Sequence, residues 1–443
     1  MSIGANSAEV QAAQPQTGWT QWAGRAAMAA VEQGSVSGSN LVLSVGLARM
    51  ISPADYGLYA VAFSMLLLGA AIYQSVFLLP LMVHAPRLRP EERAGYLRAL
   101  LRMHGWGAAA LLALTSLVCG LGPLASAQFP TRLVWASAFT METLSLQWLL
   151  RDSHYLSLAP SAPARGSLVY SIALLLGLLL LGLTQMASAW AAILLMGVAA
   201  LASAALLLAA LWKDLHVHDE AVNIAYVWRE SRKLARWEFW ISIAGWAPVH
   251  LTFPVTAGVL GPVATGALRA LQNFAMPLNQ LVVALSRLLL PYLCGRSEEG
   301  VSPVAQGRKI AWFALAAGLA YTTAFWSIAA PLVHLVYGGA YDEHAWLMPL
   351  AILPMAFWGG AQSLGLALRA ANRFSPVLTA TITAGLVFAA AIVPATRSYG
   401  VAGALGAAAG SQFLGLALMA FFARPNDEAG GVLDPVPVDG GGA

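Results

Sequence analysis

Three arginines stand where arginine is costly. Arg287 lies inside the apolar run 267–293, Arg269 opens that run, and Arg49 closes the run 28–50. A guanidinium is planar and donates two parallel hydrogen bonds, which suits it to phosphate-like oxygens. Amides and hydroxyls able to hold a hydrated ligand stand nearby in the chain. Asn273 and Gln280 are seven residues apart on one predicted helix face, Gln272 and Asn279 are on the neighbouring face, and Ser39 and Asn40 lie in the first run. Two carboxylates complete the set. Glu142 sits in the middle of Phe139-Thr140-Met141-Glu142-Thr143, and Glu32 shares a face with Ser35 and Ser39. An ionisable group inside a membrane helix is a functional candidate by default, and a buried carboxyl suits proton exchange, so Glu142 and Glu32 are the ion-coupling candidates.

Each residue also has a structural reading, and the sequence leaves both open. Arg287 either snorkels to the interface or faces a cavity. Arg49 either binds a ligand, caps a helix or pairs with Asp55. Glu142 either titrates or pairs with an arginine or hydroxyl. With Gly34, Gly38 and Gly46, the first run is either a polar cavity wall or a close helix contact, and the amides of 272–280 either hold a ligand or join helices. His216-Val217-His218-Asp219 could grip a metal but reads as a solvated loop, and no metal site is expected.

The elements that position these residues follow from composition. Of 443 residues, 59% are hydrophobic and only 10% charged, with mean hydropathy +0.68. Soluble domains carry roughly 25% charge, so a water-facing enzyme, a disordered chain and a nucleic-acid partner are all excluded. The net charge of +4 is scattered in groups beside apolar runs, the pattern that orients membrane helices. Cys119 and Cys294 have no metal-ligand spacing and read as packing residues.

A membrane helix needs about 20 largely apolar residues. Such runs fall at 28–50, 56–83, 105–122, 133–150, 166–184, 188–212, 239–258, 267–293, 310–336, 345–368, 376–395 and 401–423, twelve in all, with the third, fourth and seventh weakest. Basic residues concentrate in alternate connections: 84–104, 151–165, 213–238, 295–309 and 369–374. The opposite connections hold only Arg49, Arg132, Arg269 and Arg397. This bias places the basic set and both termini in the cytoplasm. Residues 1–27 form a polar tail without the apolar core of a signal peptide, and 424–443 a Gly- and Pro-rich tail expected to be disordered. The stretch Trp228–Trp240 reads as a basic amphipathic helix on the membrane surface.

The two halves echo one another. Pro53 and Gly57, entering the second run, recur at one constant offset as Pro262 and Gly266, entering the eighth. Gly122-Pro123-Leu124 finds a partner in Ala330-Pro331-Leu332. Six runs per half imply parallel repeats about an axis along the membrane normal. The expected architecture is all-α: an N-lobe at 28–212, a cytoplasmic connection at 213–238 and a C-lobe at 239–423, two six-helix bundles around a central cavity.

The segment Leu47-Ala48-Arg49-Met50-Ile51-Ser52-Pro53-Ala54-Asp55-Tyr56-Gly57-Leu58-Tyr59 resembles the "L-x-R-x-L-x-P-x-D-[FY]-G-x-[YF]" segment of Wzx-type polysaccharide flippases. The stretch from Leu260-Gly261-Pro262 to Leu290-Pro291-Tyr292-Leu293, the turn Tyr337-Gly338-Gly339-Ala340-Tyr341, and the connections Leu368–Arg373 and Gly400–Ala404 are similar to that family as well. The likeness spans about residues 30–423. It implies the multidrug/oligosaccharidyl-lipid/polysaccharide exporter fold in a bacterial inner membrane. The implied substrate is an undecaprenyl-pyrophosphate-linked oligosaccharide, moved between leaflets for O-antigen or exopolysaccharide assembly. A polysaccharide polymerase and a chain-length regulator are the implied partners, and a proton or sodium gradient the energy source, with no bound cofactor. In that setting Arg49, Arg269 and Arg287 would meet phosphate, and Asn273, Gln280, Ser39 and Asn40 the sugars.

Two other functions compete. An ion-coupled multidrug exporter of the same superfamily would want several buried carboxylates for cationic substrates, and only Glu142 is deep. A polymerase or ligase would want a sizeable external loop, and the external connections are short. There is no P-loop to hydrolyse a nucleotide.

Overall fold

The computed structural model describes residues 19–120, 130–156, 161–216 and 223–424. Within them the chain is helical from end to end: α1 (Trp19–Met50), α2 (Pro53–Tyr73), α3 (Leu79–His84), α4 (Pro90–Gly120), α5 (Thr131–Tyr155), α6 (Ser161–Leu183), α7 (Ala189–His216), α8 (Ile224–His250), α9 (Thr252–Leu260), α10 (Pro262–Gln272), α11 (Met276–Glu298), α12 (Pro303–Tyr337), α13 (Met348–Ala370) and α14 (Phe374–Phe422). All-helical structure is what hydrocarbon demands, because each backbone N–H and C=O must find its partner within the segment.

Among the described residues, eight helices or joined helices are long and apolar enough to cross a membrane, nine if α8 and α9, which bend by 48°, form one span. This is a multi-pass membrane protein. The weak third run is lengthened at its start, since α4 begins at Pro90 rather than near 105. The fourth run, α5, is a continuous helix of 25 residues but too polar to stand among the eight. The tract Trp228–Trp240 is the opening of α8, with Trp228 and Trp240 exposed. Gly122-Pro123-Leu124 and residues 217–222 lie outside the described residues, as does most of each expected tail.

Two spans, one in each half of the chain, are internally broken. Between α2 and α3 the helix loosens into a π-turn at Gln74–Leu78, and between α10 and α11 it tightens into a 3-10 turn at Asn273–Ala275. The second break resets the helical phase, with a consequence for the site. α14 is interrupted at Gly400, whose φ of 61° and ψ of −140° a residue with a side chain rarely adopts. Its two arms fold back on one another: Ser411 donates to the Ala384 carbonyl at 2.8 Å, and Val377 and Met419 share a buried cluster.

In the first half of the chain α1 packs on α6, α5 on α7 and α6 on α7; in the second, α12 packs on α13, and α14 on α13, α8 and α9. Of the first run's glycines, Gly46 meets Leu178 of α6, whereas Gly34 and Gly38 face open space. The halves join most extensively where α2 crosses α10. A Cβ on Gly57 would overlap the carbonyl oxygen of Pro262, and a Cβ on Gly266 would overlap that of Pro53. The motif repeated in the sequence is therefore in contact with its own copy, each glycine receiving the first turn of the other helix.

Replacing Gly57 or Gly266 by Ala is expected to push this crossing apart, at a cost of about 1–3 kcal/mol. Spin labels placed beside Ser52 and Gly261 should report a longer distance, and an unchanged distance would refute the tight crossing.

Candidate functional site

Just beyond the crossing lies a buried polar knot. Ser44 and Tyr56 hydroxyls are 2.8 Å apart, and Ser44 also donates to Asn273 Oδ1 at 3.0 Å. Asn273 Nδ2 donates to the Tyr56 hydroxyl at 2.9 Å and to the Tyr337 hydroxyl at 3.1 Å, and Tyr337 donates to the Ala270 carbonyl at 2.8 Å. Ser44 and Tyr56 come from the first half, Asn273 and Tyr337 from the second. Every polar atom of the Asn273 side chain is thereby used in tying the halves together.

Above the knot, away from Pro53 and Pro262, a cavity of about 610 Å³ opens between the halves. Its wall is built by the middle of α1 (Gln33, Ser37, Asn40), α2 and its π-turn (Phe63, Gln74), α8 (Trp246, His250), α10 and α11 (Arg269, Gln272, Asn279, Gln280) and α13 (Met355, Trp358). The volume is that of an ordinary small-molecule site.

Arg269 is the cation of this cavity. Only 6% of it is exposed, and its guanidinium lies 4.8 Å from the Phe63 ring centre and 5.7 Å from that of Phe253. Its Nε has no hydrogen-bond partner among the described residues, and it forms no salt bridge with any of them. Among the described residues, no aspartate or glutamate lines the cavity. Each aromatic face stabilises a desolvated guanidinium by about 2 kcal/mol or somewhat more, short of the several kcal/mol that burying an uncompensated charge costs. His250, on the same wall, is half-buried, with its Nδ1 enclosed and unpartnered among the described residues. Among the described residues, the polar groups that line the cavity are thus one cation, one imidazole, several amides and the hydroxyls of Ser37 and Ser242, with no carboxylate.

The structure scatters the other residues singled out in the sequence. Gln280 reaches the cavity and accepts from Gln33 Nε2 at 3.2 Å, while Asn40 lines it and accepts from the Tyr170 hydroxyl at 3.1 Å. Asn273 does not share a face with Gln280: the 3-10 turn between them turns Asn273 to the knot and Gln280 to the cavity. Ser39 faces away from the cavity, donating to the Val36 carbonyl and lying 3.2 Å from Ser171 of α6. Arg49 is exposed, and its guanidinium donates to the carbonyls of Leu335 and Val336, where cationic donors satisfy the free end of α12. Asp55 does not pair with it; its carboxylate accepts from the Ala189 amide at the start of α7. The face carrying Glu32 and Ser39 is an internal one, with Glu32 held by the Tyr155 hydroxyl and by Arg151 at 3.7 Å. Glu142 lies outside the cavity, 3.9 Å from His104 Nε2. Arg287 is on α11, and its side chain falls outside the described residues. Cys294 is exposed rather than packed.

Gln33, whose part in the cavity no sequence reading singles out, sits one turn before Ser37 on the face of α1 opposite Glu32. The offset of that face from the Glu32–Ser39 face is the available signal.

No protein-family model and no curated protein sequence matches the chain. Solved structures do. The chain has the fold of the MOP-type membrane transporters: it superposes on the lipid II flippase MurJ in an inward closed conformation with a TM-score of 0.70, at 13% identity over 89% of this chain and 86% of that one. It is also similar to a single-residue mutant of the Vibrio cholerae MATE transporter VcmN (TM-score 0.63, 15% identity, 93% and 97% covered). An inward-facing multidrug resistance MATE family transporter of the MOP superfamily is a third neighbour (TM-score 0.62, 14% identity, 90% and 95% covered).

Because Arg49 donates to the end of α12 and does not line the cavity, Arg49→Ala should lengthen the distance between spin labels placed at Met50 and Leu335, and an unchanged distance would refute the cap.

Proposed function

We propose that this chain is a flippase for an undecaprenyl-pyrophosphate-linked oligosaccharide. The observation that carries the reading is Arg269, a buried cation without a carboxylate partner among the described residues, facing a cavity lined by amides between the two halves. A pyrophosphate supplies the missing countercharge, and Gln33, Asn40, Gln272, Asn279 and Gln280 offer both donors and acceptors to sugar hydroxyls. The apolar lipid tail has no need of the cavity and remains in the bilayer. Arg287, on the same helix as Asn279 and Gln280, is a further phosphate contact in this reading.

The fold serves the task if twelve spans form two six-helix bundles. The nine counted spans become twelve when α1 and α5 also cross and the arms of α14 count separately. The charge bias then puts the Pro53–Pro262 end in the periplasm and the open end of the cavity in the cytoplasm of a bacterial inner membrane, with both termini inside. Transport is the exchange of one closed end for the other: ligand neutralises Arg269, the cytoplasmic end narrows, and the knot at Asn273 and the crossing at Gly57 and Gly266 release. A polysaccharide polymerase and a chain-length regulator would act on the delivered units, for O-antigen or exopolysaccharide.

A drug exporter is the second reading, favoured by Phe63, Trp246 and Trp358 in the cavity wall, which suit flat apolar compounds. Binding to the purified protein in nanodiscs separates the two. Undecaprenyl pyrophosphate is expected to bind, at least about tenfold more weakly to Arg269→Ala and with intermediate affinity to Arg269→Lys, which keeps the charge but loses the fork. In cells, Arg269→Ala should accumulate lipid-linked repeat units and lose surface polymer. Tight binding of tetraphenylphosphonium with none of undecaprenyl pyrophosphate would overturn the flippase reading in favour of the exporter.

A further inference from the structure

Outside the cavity, three titratable side chains from three helices meet within the first half of the chain. Tyr73, the last residue of α2, has its hydroxyl 3.2 Å from His104 Nδ1 on α4, and His104 Nε2 is 3.9 Å from Glu142 Oε2 on α5. The ring of His104 stands edge-on to that of Tyr73, their centres 5.8 Å apart. His104 is 9% exposed at its side chain and Glu142 20%. Glu142 has no arginine or lysine within salt-bridge distance among the described residues; the histidine is its only ionic neighbour. The structural reading offered by the sequence, a carboxylate paired with an arginine or a hydroxyl, is therefore not what the described residues show; an imidazole stands there instead.

Among the described residues, no other group stands within salt-bridge distance of it to take over its charge. On α5, Asp152 is the other carboxylate felt by Tyr73, and it is paired with Arg151 at 3.0 Å, which also holds Glu32. The π-turn Gln74-Ser75-Val76-Phe77-Leu78 carries no ionisable residue. α7 meets α5 with Gly197 against Thr140 and with Ser203 bonded to Gln147. α8 packs on the Tyr73 cluster through Ile224 and Val227, and its Glu230 is held by Lys233 at 2.8 Å and faces His84 and Arg229.

We propose that Glu142 and His104 form a proton-binding site, separate from the substrate cavity, whose occupancy is transmitted to the cavity through Tyr73 and the π-turn. The inference rests on the flippase reading only for what the proton drives. With Glu142 ionised and His104 neutral, Nε2–H points to the carboxylate and Nδ1 accepts from the Tyr73 hydroxyl, the arrangement in which every proton has an acceptor. One added proton, shared between the carboxylate and the imidazole, cancels the net charge of the pair. Releasing it restores a negative charge in a low-dielectric setting, so the two states differ in how strongly they pull on Tyr73. Tyr73 stacks on Phe77 at 4.5 Å, and the next residue, Gln74, lines the cavity. One peptide unit thus separates the proton site from the ligand site. π-turns within helices recur at functional positions because they hold the helix between two pitches, and this one sits at the point of transmission.

The test is infrared difference spectroscopy of the full-length protein in nanodiscs across a pH titration. A protonated-carboxyl C=O band is expected in the wild type, absent from Glu142→Gln, and shifted in midpoint by about one pH unit in His104→Asn, the coupling typical of interacting pairs. Tyr73→Phe, which removes a single hydroxyl, should keep the band. Adding undecaprenyl pyrophosphate should move the midpoint in the wild type but not in Arg269→Ala. A band that survives Glu142→Gln overturns the site. A band abolished when sodium replaces potassium at constant pH makes it a sodium site and also overturns the proposal. Bound ligand that leaves the midpoint unmoved overturns the transmission, whereas a normal band in protein that binds no ligand refutes the cavity reading alone.

Discussion

Two helix ends cross so closely that neither tolerates a side chain at the point of contact. Gly57 of α2 lies on the Pro262 carbonyl and Gly266 of α10 on that of Pro53, and the rest of the structure is arranged about this crossing. It brings Tyr56 within reach of Asn273 and sets the two halves at the spacing that leaves a cavity above. Because the contact is made of backbone, it is either formed or lost, with little between. Close-packed surfaces of this kind do not deform continuously.

The polar residues divide according to what a membrane charges for them. Those that stabilise the closed arrangement are fully partnered: Asn273 spends its hydrogen bonds within the knot, Arg49 serves the end of α12, and Glu32 is held by Tyr155 and Arg151. Arg269 and His250 are not. Among the described residues no carboxylate offsets the Arg269 charge, and a buried cation left in that way is costly to the folded protein.

Much of the candidate site is legible in the sequence as a list and little of it as a map. Gln272, Asn279, Gln280 and Arg269 are all visible as polar residues in an apolar run, and all four reach the cavity. Asn273 falls on the face of Gln280 only if helical periodicity is carried through a 3-10 turn that local sequence does not announce. Ser39 and Glu32 do share a face of α1, but which face meets α6 and which the cavity depends on helices more than 100 residues away. Arg49 has three roles open to it in the sequence, and the position of the α12 terminus selects the cap.

The sequence by itself determined the membrane, the helical class, the sites of the breaks at Pro53, Pro262 and Gly400, and the repetition of Pro-x-x-x-Gly in the two halves. These are properties of composition and local backbone preference, and they follow from hydrocarbon forbidding unpaired peptide groups and from the conformations open to proline and glycine. Only the tertiary structure decided that the two glycine motifs touch one another, that Arg269 is buried without a carboxylate while Glu32 is paired, and that Glu142 meets His104 rather than an arginine. Side-chain partners are set by which helix faces are turned together, and in a bundle of uniformly apolar helices periodicity alone leaves those rotations unspecified.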